Sequence, residues 1–244
     1  MTVDIIYEDL DVLVINKPSG LMVHGDGKDD NRSNDHTLAD TLVMLYPKIK
    51  DVGEPAEYDG KIIARPGIVH RLDKDTSGVI IVATNQEAFE HLKKQFQDRL
   101  VKKTYRAFVY GNIKEDEGVI DKPIGRHPKV FNQWLASTSA RGTLRDAVTE
   151  YKVLARGKVD GESVTYVELY PKTGRTHQIR AHLKSLSTPV ICDPIYAEKR
   201  PCILGLDRLA LHALSLEIEL PNGETKKFEA PLPEEFVNAE KSLS

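Results

Sequence analysis

The feature that most constrains the fold is an uninterrupted apolar run, residues 79–83, that directly follows a densely charged stretch. The run reads Val-Ile-Ile-Val-Ala, and its length and β-branched side chains are typical of a buried strand. The preceding residues 70–78 read His-Arg-Leu-Asp-Lys-Asp-Thr-Ser-Gly and end in residues that favour a turn. The sequence therefore predicts a charged loop mounted on a core strand, which is how rigid scaffolds present catalytic or binding residues.

Other segments supply the rest of an α+β fold. Helices are predicted after Thr37, after Asn85, after Gly174 and from Leu232 onward, and the helix after Asn85 has an apolar stripe that runs to Leu100. Because hairpins outnumber βαβ units, we expect a mostly antiparallel mixed sheet with flanking helices. The other strands are predicted at 12–15, 21–23, 105–110, 147–154, 164–170, 209–220 and 226–230.

Length and composition fit a soluble globular protein of one large domain or two small ones. The chain has 244 residues and 40% apolar residues, and no run is long enough to span a bilayer. The first residues lack the pattern of a signal peptide, which predicts a cytoplasmic protein without a membrane partner. The two cysteines, Cys192 and Cys202, are therefore expected to be reduced thiols.

The net charge of −3 does not indicate a general nucleic-acid coat, so any RNA contact needs a local basic cluster. One such segment, residues 93–106, carries six basic side chains against Asp98 alone. Such a run is most often a solvated helix face, but it is also a candidate RNA contact. Its basic residues are Lys93, Lys94, Arg99, Lys102, Lys103 and Arg106.

Asp73 is the first catalytic candidate, because a carboxylate can act as a nucleophile or as a general base. Asp75 lies two residues further on, so a pair of carboxylates of the retaining-glycosidase kind is conceivable. However, no segment of the chain resembles a glycosidase loop. A metal site is not indicated either, since His177 and His182 are five residues apart and fall on different faces of a helix.

The string His70-Arg71-Leu72-Asp73, followed by Thr76-Ser77-Gly78, resembles the active-site motif of the RluA family of RNA pseudouridine synthases. Motif matches are hypotheses that the rest of the chain can test. Four further segments resemble family motifs in the same order, and together they cover nearly the whole chain. These segments are residues 17–20, 103–107, 171–183 and 209–213.

The resemblance implies an isomerase that converts specific uridines of ribosomal or transfer RNA to pseudouridine, without a cofactor or a metal. It implies that Asp73 frees the flipped-out base, which rotates and rejoins the ribose through carbon 5. Tyr105 would stack on the target base, and whether its hydroxyl also removes a proton stays open. Arg180 would hold the Asp73 carboxylate ionised and oriented, since an opposite charge offsets the effect of burial.

A set of substrate-binding residues is predicted around these three. Arg71 would fill the space that the flipped base leaves in the RNA. The helix after Gly174 could receive a phosphate at its N-terminus. The complete substrate-binding set is Arg71, His70, Thr76, Lys17, Lys103, Arg175 and Leu183.

The domain organisation expected from the resemblance is a single catalytic domain of the pseudouridine-synthase type, over residues 1–244. The small N-terminal RNA-binding domain of many relatives is not expected, because the first strand begins almost at residue 1. Residues 25–35 and 48–64 look longer than the family core needs, which bears on the choice of RNA. Since one chain carries every motif, we expect a monomer whose partner is RNA.

Two other functions compete with this one. A non-catalytic RNA-binding protein on the same fold would have no use for Asp73 as a nucleophile. An aspartate-dependent nucleosidase or hydrolase would need a means of activating water, and no convincing His–Asp pair or metal set supplies one. Uridine-containing RNA that yields pseudouridine, free uracil or neither distinguishes the three.

Overall fold

The computed structural model describes residues 3–25, 36–58, 60–130 and 132–243. The chain divides into two compact units, each described by itself below. Unit 1 comprises residues 1–102 and 215–231, and unit 2 comprises residues 103–214 and 232–244. The single catalytic domain expected from the sequence stays a prediction. Of the segment 25–35, which looks longer than the family core needs, only residue 25 lies within the described residues.

Unit 1 is built around the predicted core strand. This strand, β5, is buried along its whole length and pairs antiparallel with β2, which pairs in turn with β1. The strands of unit 1 are β1 (Asp4–Glu8), β2 (Val12–Lys17), β3 (Ala56–Tyr58), β4 (Lys61–Ile63) and β5 (Ser77–Ala83). Its helices are α1 (Leu38–Leu45), a 3-10 turn (Pro47–Ile49) and α2 (Gln86–Gln97).

Local sequence explains the helices of unit 1. Thr37 and Asp40 form a capping box that satisfies backbone N–H groups at the start of α1. The Asn85 side chain accepts a hydrogen bond from the Ala88 N–H at the start of α2. The predicted apolar stripe of α2 includes Leu100, but Leu100 lies beyond the end of the helix and is 65% exposed. The helix ends earlier because Arg99 adopts a left-handed conformation with φ of 60°.

Unit 2 contains an antiparallel array and a small separate sheet. In the array β6 pairs with β12, β12 with β11 and β11 with β7, while β8 lies between β10 and β9 in the small sheet. The strands are β6 (Lys102–Tyr110), β7 (Glu117–Asp121), β8 (Ile124–Arg126), β9 (Trp134–Ala136), β10 (Arg141–Arg145), β11 (Val148–Val159) and β12 (Glu162–Pro171). The helices are α3 (Gln178–Ser185) and α4 (Glu234–Lys241).

Two strands carry residues of both units. The first residue of β6, Lys102, belongs to unit 1. The second half of β13 (Leu211–Glu219) also belongs to unit 1 and forms a hairpin there with β14 (Thr225–Glu229). Each unit has a hydrophobic core of its own, with Leu13 and Ile80 in unit 1 and Phe108 and Tyr166 in unit 2. The predicted α+β class with a mostly antiparallel sheet and flanking helices is confirmed.

The strand predicted at 21–23 is wrong. Residues 21–23 form no strand, because the carbonyls of Met22 and Val23 accept hydrogen bonds from the backbone N–H groups of Leu38 and Ala39 at the start of α1. The long segment 48–64 contains the hairpin of β3 and β4.

The expectation of reduced thiols is also corrected. The structure joins Cys192 and Cys202 in a disulfide, with Cα atoms 4.9 Å apart. The two cysteines are ten residues apart in sequence, and only the folding of the intervening chain brings them within reach of each other. Spacing alone could not predict this pairing.

Candidate active site

In unit 1 the charged loop is a tight connection between a short extended segment and β5. Ile68 forms an antiparallel bridge with Val82, and the His70 Nε2 atom accepts a hydrogen bond from the Ile81 N–H at 3.0 Å. The His70 ring also stacks on Phe96, with centroids 4.5 Å apart. His70 therefore fixes the start of the loop against the strand, and Asp73 lies in the turn that follows.

A glycine allows the close approach of this segment to β5. Gly67 has a φ of 66°, a conformation that favours glycine. A Cβ atom there would lie 2.2 Å from the carbonyl oxygen of Ala83. The Gly67 carbonyl accepts a hydrogen bond from the Ala83 N–H at 2.9 Å. No other residue type fits this position without displacing the base of the loop.

The buried side chain of Lys17 stabilises the backbone of the loop that carries Asp73. Its side chain is fully buried, and its ammonium donates hydrogen bonds to the carbonyls of Pro18, Leu21 and Lys74, at 2.8, 2.9 and 2.9 Å. The Ser19 hydroxyl adds a hydrogen bond to the Asp75 carbonyl at 2.7 Å. The segment 17–20 that resembles a family motif thus packs against the backbone of Lys74 and Asp75, directly after Asp73.

We expect Lys17→Met to lower the free energy of unfolding by about 3 kcal/mol, because buried carbonyls lose a charged donor. Turnover should fall as well, since the backbone next to Asp73 loses its anchor. Urea denaturation and an activity assay measure the two effects. Lys50→Met, at an exposed lysine of the same unit, is the control and should change neither. A Lys17→Met protein as stable as wild type would contradict a clamping role.

The side chains of the loop differ in exposure. Arg71 is exposed, Asp73 is half-buried and Thr76 is buried. The Thr76 N–H donates to the Asp73 carbonyl at 3.1 Å and closes the turn. The His24 Nε2 atom lies 3.3 Å from the Arg71 Nη1 atom, while its Nδ1 atom lies 2.7 Å from the Gly25 carbonyl.

In unit 2 the central group is Arg180, on α3. Its Nε and Nη2 atoms donate to the two carboxylate oxygens of Asp193, both at 2.8 Å. The side chains of Arg180 and Asp193 are 5% and 0% exposed, respectively. The Asp193 Oδ1 atom also accepts the backbone N–H groups of Ile195 and Tyr196. A two-bonded pair of this kind fixes the plane of the guanidinium.

Tyr196 extends this arrangement toward the small sheet. Its ring centroid lies 5.3 Å from the Arg180 guanidinium carbon. Its hydroxyl accepts the Trp134 N–H and donates to the Trp134 carbonyl, both at 3.0 Å. It also lies 3.4 Å from the His177 Nδ1 atom. Arg180, Tyr196 and the first residue of β9 therefore form one connected group.

Tyr105 and Lys103 lie on β6. Tyr105 is half-buried and packs against the hydrophobic core of unit 2. The Lys103 ammonium lies 3.5 Å from the Thr173 carbonyl, and burial lowers the pKa of this lysine to about 8. Lys103 is thus still mostly a cation at neutral pH, in a site that hydrates it poorly.

The turn before α3 is held by Gln178. Its Oε1 atom accepts hydrogen bonds from the Thr173 hydroxyl at 2.6 Å and the Arg175 N–H at 3.0 Å. The Arg175 Nε atom donates to the Asp146 carbonyl at 3.0 Å, and Arg175 is half-buried. Leu183, on the same helix, is fully buried in the core of unit 2.

His182, on the same helix, makes the stability of the protein depend on pH. It is fully buried, with its Nδ1 atom 2.9 Å from the Thr149 hydroxyl and its Nε2 atom 3.0 Å from the Lys122 carbonyl. Burial lowers the pKa of His182 below its ordinary value of 6.5. Between these two pKa values the unfolded chain binds a proton that the folded chain does not, so acid favours unfolding.

We therefore expect the free energy of unfolding to fall as the pH drops below about 6.5, and to keep falling until the folded-state pKa of His182 is passed. Urea denaturation between about pH 5 and pH 8 measures this slope. His182→Gln should remove part of it, whereas His36→Gln, at an exposed histidine, should leave it unchanged. Equal slopes for His182→Gln and wild type would contradict the assignment.

The predicted site residues fall into both units. Unit 1 brings together the loop residues and the lysine beneath them, and unit 2 brings together the residues of β6, the turn before α3 and α3 itself. The unit 1 set is Lys17, His70, Arg71, Asp73 and Thr76. The unit 2 set is Lys103, Tyr105, Arg175, Arg180 and Leu183.

Sequence reasoning missed Asp193 and Tyr196. Both lie in the segment 192–197, which reads Cys-Asp-Pro-Ile-Tyr-Ala. Its Asp-Pro step favours a turn, but nothing in the spacing connects it to an arginine 13 residues earlier.

The charges of the basic segment 93–106 are largely compensated by nearby carboxylates. Four of its six basic side chains form ion pairs within their own unit, with nitrogen–oxygen distances of 2.5 to 2.7 Å. Phosphates would therefore compete with carboxylates already in place. These pairs are Lys93–Glu54, Lys94–Asp98, Lys102–Glu217 and Arg106–Glu168.

Two other kinds of feature are absent from the described ranges. No group of three or more His, Cys, Asp or Glu side chains in residues 3–25, 36–58, 60–130 and 132–243 is placed to hold a metal ion. Within the same ranges no helix has the length and apolarity needed to cross a membrane.

Comparison with known proteins gives a consistent family match. Residues 11–185 match the family model described as RNA pseudouridylate synthase. An uncharacterised RNA pseudouridine synthase, YlyB of Bacillus subtilis, is 38% identical over all of this chain and 73% of its own length. Ribosomal large subunit pseudouridine synthase D of Nitrosomonas europaea is 39% identical over 96% of this chain and 63% of its own length.

Solved structures agree in fold. Human RNA pseudouridylate synthase domain containing 1 has a TM-score of 0.73 and 29% identity, covering 95% of this chain and 84% of that chain. Human RNA pseudouridylate synthase domain containing 4 has a TM-score of 0.72 and 28% identity, covering 98% and 92%. The chain thus spans most of these structures, but about two thirds of the length of the curated relatives.

Proposed function

The chain belongs to the RNA pseudouridylate synthase family, and we propose that it isomerises specific uridines in RNA to pseudouridine, with Asp73 as the catalytic residue. The observation that carries this proposal is the construction of the Asp73 loop. A buried lysine, a histidine and a turn hold its backbone, while the Asp73 carboxylate is half-buried. Such rigidity suits a group that must meet a reacting atom in one orientation.

The reaction needs one bond exchanged for another within the nucleotide. The bond between N1 of uracil and the ribose breaks, the base rotates, and a bond from C5 to the ribose forms. C5 then loses a proton while N1 gains one, so that the atoms balance without an external reagent. Asp73 acts in this sequence as a nucleophile or as a general base. The working atoms are inaccessible in a helical stack, so the target base must be flipped out.

Residues of unit 2 complete the proposed machinery. We assign Tyr105 to stacking on the flipped base, since an aromatic ring offers a face to any unstacked base. Arg180 would hold the Asp73 carboxylate, for which its geometry is suited because Asp193 fixes the plane of its guanidinium. Lys103 and Arg175 remain candidates for RNA contacts. Lys17 and Leu183 are fully buried, so we assign them to support of the site instead of to substrate binding.

Arg71 keeps the role of filling the space vacated by the base. It is exposed, so RNA can reach its guanidinium. His70 and Thr76 would act through the loop conformation, because both use ring or backbone nitrogen atoms to hold it.

We propose a ribosomal RNA substrate in preference to transfer RNA, because several relatives are named ribosomal large subunit pseudouridine synthase D. We also propose that the protein is a monomer and that it acts in the cytoplasm. The test is pseudouridine mapping of cellular RNA with and without the gene. Loss of pseudouridine at one or a few ribosomal uridines supports the proposal, and loss in transfer RNA alone would correct the substrate. Identical maps would contradict it.

A further inference from the structure

The small sheet of unit 2 lies in a segment whose charged side chains are all basic. Residues 122–145 contain five Lys or Arg residues and no Asp or Glu, although the chain as a whole has a net charge of −3. These residues form β8, β9 and β10 and the turns that join them.

The strand register aligns three of these side chains across the sheet. Arg126 on β8 lies opposite Arg141 on β10 and opposite Trp134 on β9. Directly opposed residues in antiparallel strands point to the same face, so that Arg141, Arg126 and Trp134 form a row. We call this row, together with the nearby Arg145, the arginine face.

The guanidinium groups of the arginine face are available to a partner. Arg126, Arg141 and Arg145 are exposed, and within residues 3–25, 36–58, 60–130 and 132–243 none of them forms an ion pair. The Arg126 guanidinium carbon lies 5.4 Å from the centroid of the Trp134 ring, which orients that cation without neutralising it.

The arginine face is connected to the proposed catalytic residues of unit 2. Trp134 exchanges two backbone hydrogen bonds with the Tyr196 hydroxyl, and the Tyr196 ring lies beside the Arg180 guanidinium. Ile124 and Ala136, on β8 and β9, pack in one cluster with Ala181 of α3. The sheet is thus fixed to the helix that carries Arg180.

We propose that the arginine face binds the phosphodiester backbone of the substrate RNA beside the target uridine. The proposal rests on the proposed function and specifies its RNA-binding surface. Exposed guanidinium groups without carboxylate partners, held on a rigid sheet, match the spaced anionic oxygens of a nucleic-acid strand. The segment 93–106 is the weaker candidate, because four of its basic side chains already face carboxylates.

The test compares two double variants with wild type in binding a transcript of large-subunit ribosomal RNA over a series of salt concentrations. Arg141→Gln with Arg145→Gln removes two charges of the arginine face and leaves the Arg126–Trp134 pair in place. Lys94→Gln with Lys102→Gln removes two exposed but ion-paired charges and is the matched control. All three proteins are also assayed for conversion of the same transcript at saturating RNA.

We expect the arginine variant to bind at least about tenfold more weakly. It should also reduce the slope of log affinity against log salt by about 2, because each arginine that binds a phosphate adds about 1 to that slope. In the arginine variant the loss of turnover at saturating RNA should be smaller than the loss of affinity, and the lysine variant should keep the wild-type slope. A wild-type slope in the arginine variant, or an equal reduction in the lysine variant, would overturn the proposal, as would a wild-type protein that does not bind the transcript.

The two proposals can fail separately. Suppose that wild type and the arginine variant bind the transcript with the expected difference in salt slope, but wild type forms no pseudouridine in any RNA. The arginine face is then supported, while the proposed function fails. If wild type forms pseudouridine and the arginine variant keeps the wild-type slope, the function is supported and the arginine face is not.

Discussion

Replacing Asp73 with asparagine should reduce pseudouridine formation by at least about 10²- to 10⁴-fold, the contribution of one general acid or base, while RNA affinity changes less than about threefold. The amide has nearly the shape of the carboxylate but can neither attack as an anion nor accept a proton at neutral pH. Affinity should survive because it comes mostly from phosphate contacts. Single-turnover conversion and filter binding of the same transcript measure the two quantities.

Asp75→Asn is the matched control, because it removes a carboxylate from the same loop. Asp75 is held through its backbone, since its carbonyl accepts the Ser19 hydroxyl at 2.7 Å, and the asparagine leaves that hydrogen bond in place. We expect near wild-type turnover. Full activity of Asp73→Asn would remove Asp73 from the mechanism, and an equal loss in Asp75→Asn would point to a role for both carboxylates.

Asp193→Ala should lower the free energy of unfolding by about 3 to 5 kcal/mol, because it removes a buried carboxylate that accepts two hydrogen bonds from Arg180 and two from backbone N–H groups. It should also lower turnover more than RNA affinity, since Arg180 loses the group that orients it. Urea denaturation measures the first effect, and the separation of kcat from KM measures the second. Asp193→Asn, which keeps an acceptor for the backbone N–H groups, should fold better and still turn over slowly.

The control for this substitution is an exposed ion pair of unit 2. Lys172 and Glu150 lie 2.7 Å apart with side chains 52% and 44% exposed, and Glu150→Ala should cost at most about 1 kcal/mol. If Asp193→Ala is as stable as Glu150→Ala, the buried pair contributes little. If Asp193→Asn keeps wild-type turnover, Asp193 does not position Arg180 for the reaction.

The elements that sequence predicted well depend on local patterns. The buried strand β5 follows from five consecutive apolar residues, and α2 follows from its N-cap Asn85 and a regular apolar spacing. Two predictions were wrong for a similar reason, namely that the apolar stripe of α2 reaches Leu100 and that residues 21–23 form a strand. In each case the backbone forms hydrogen bonds elsewhere, to the Gln95 carbonyl in the first and with the start of α1 in the second.

The functional loop was predictable as a motif, but its support was not. Lys17 reaches the Lys74 carbonyl across 57 residues of sequence, so its burial beneath the loop depends on the pairing of β2 with β5. Likewise, Asp193 lies outside the residues 11–185 that match the family and contacts Arg180 only because the turns after α3 bring it back. Contacts of this kind are tertiary, and neither periodicity nor spacing encodes them.

The most direct test of the central claim is nucleoside analysis of a large-subunit ribosomal RNA transcript after incubation with the purified chain. We predict that uridine is lost and pseudouridine gained in equal amounts, with no free uracil, and that the Asp73→Asn protein leaves the transcript unchanged. Release of free uracil by wild type would identify a nucleosidase. A transcript that wild type binds tightly but does not alter would identify an RNA-binding protein, and either result would contradict the assignment of this chain as an isomerase.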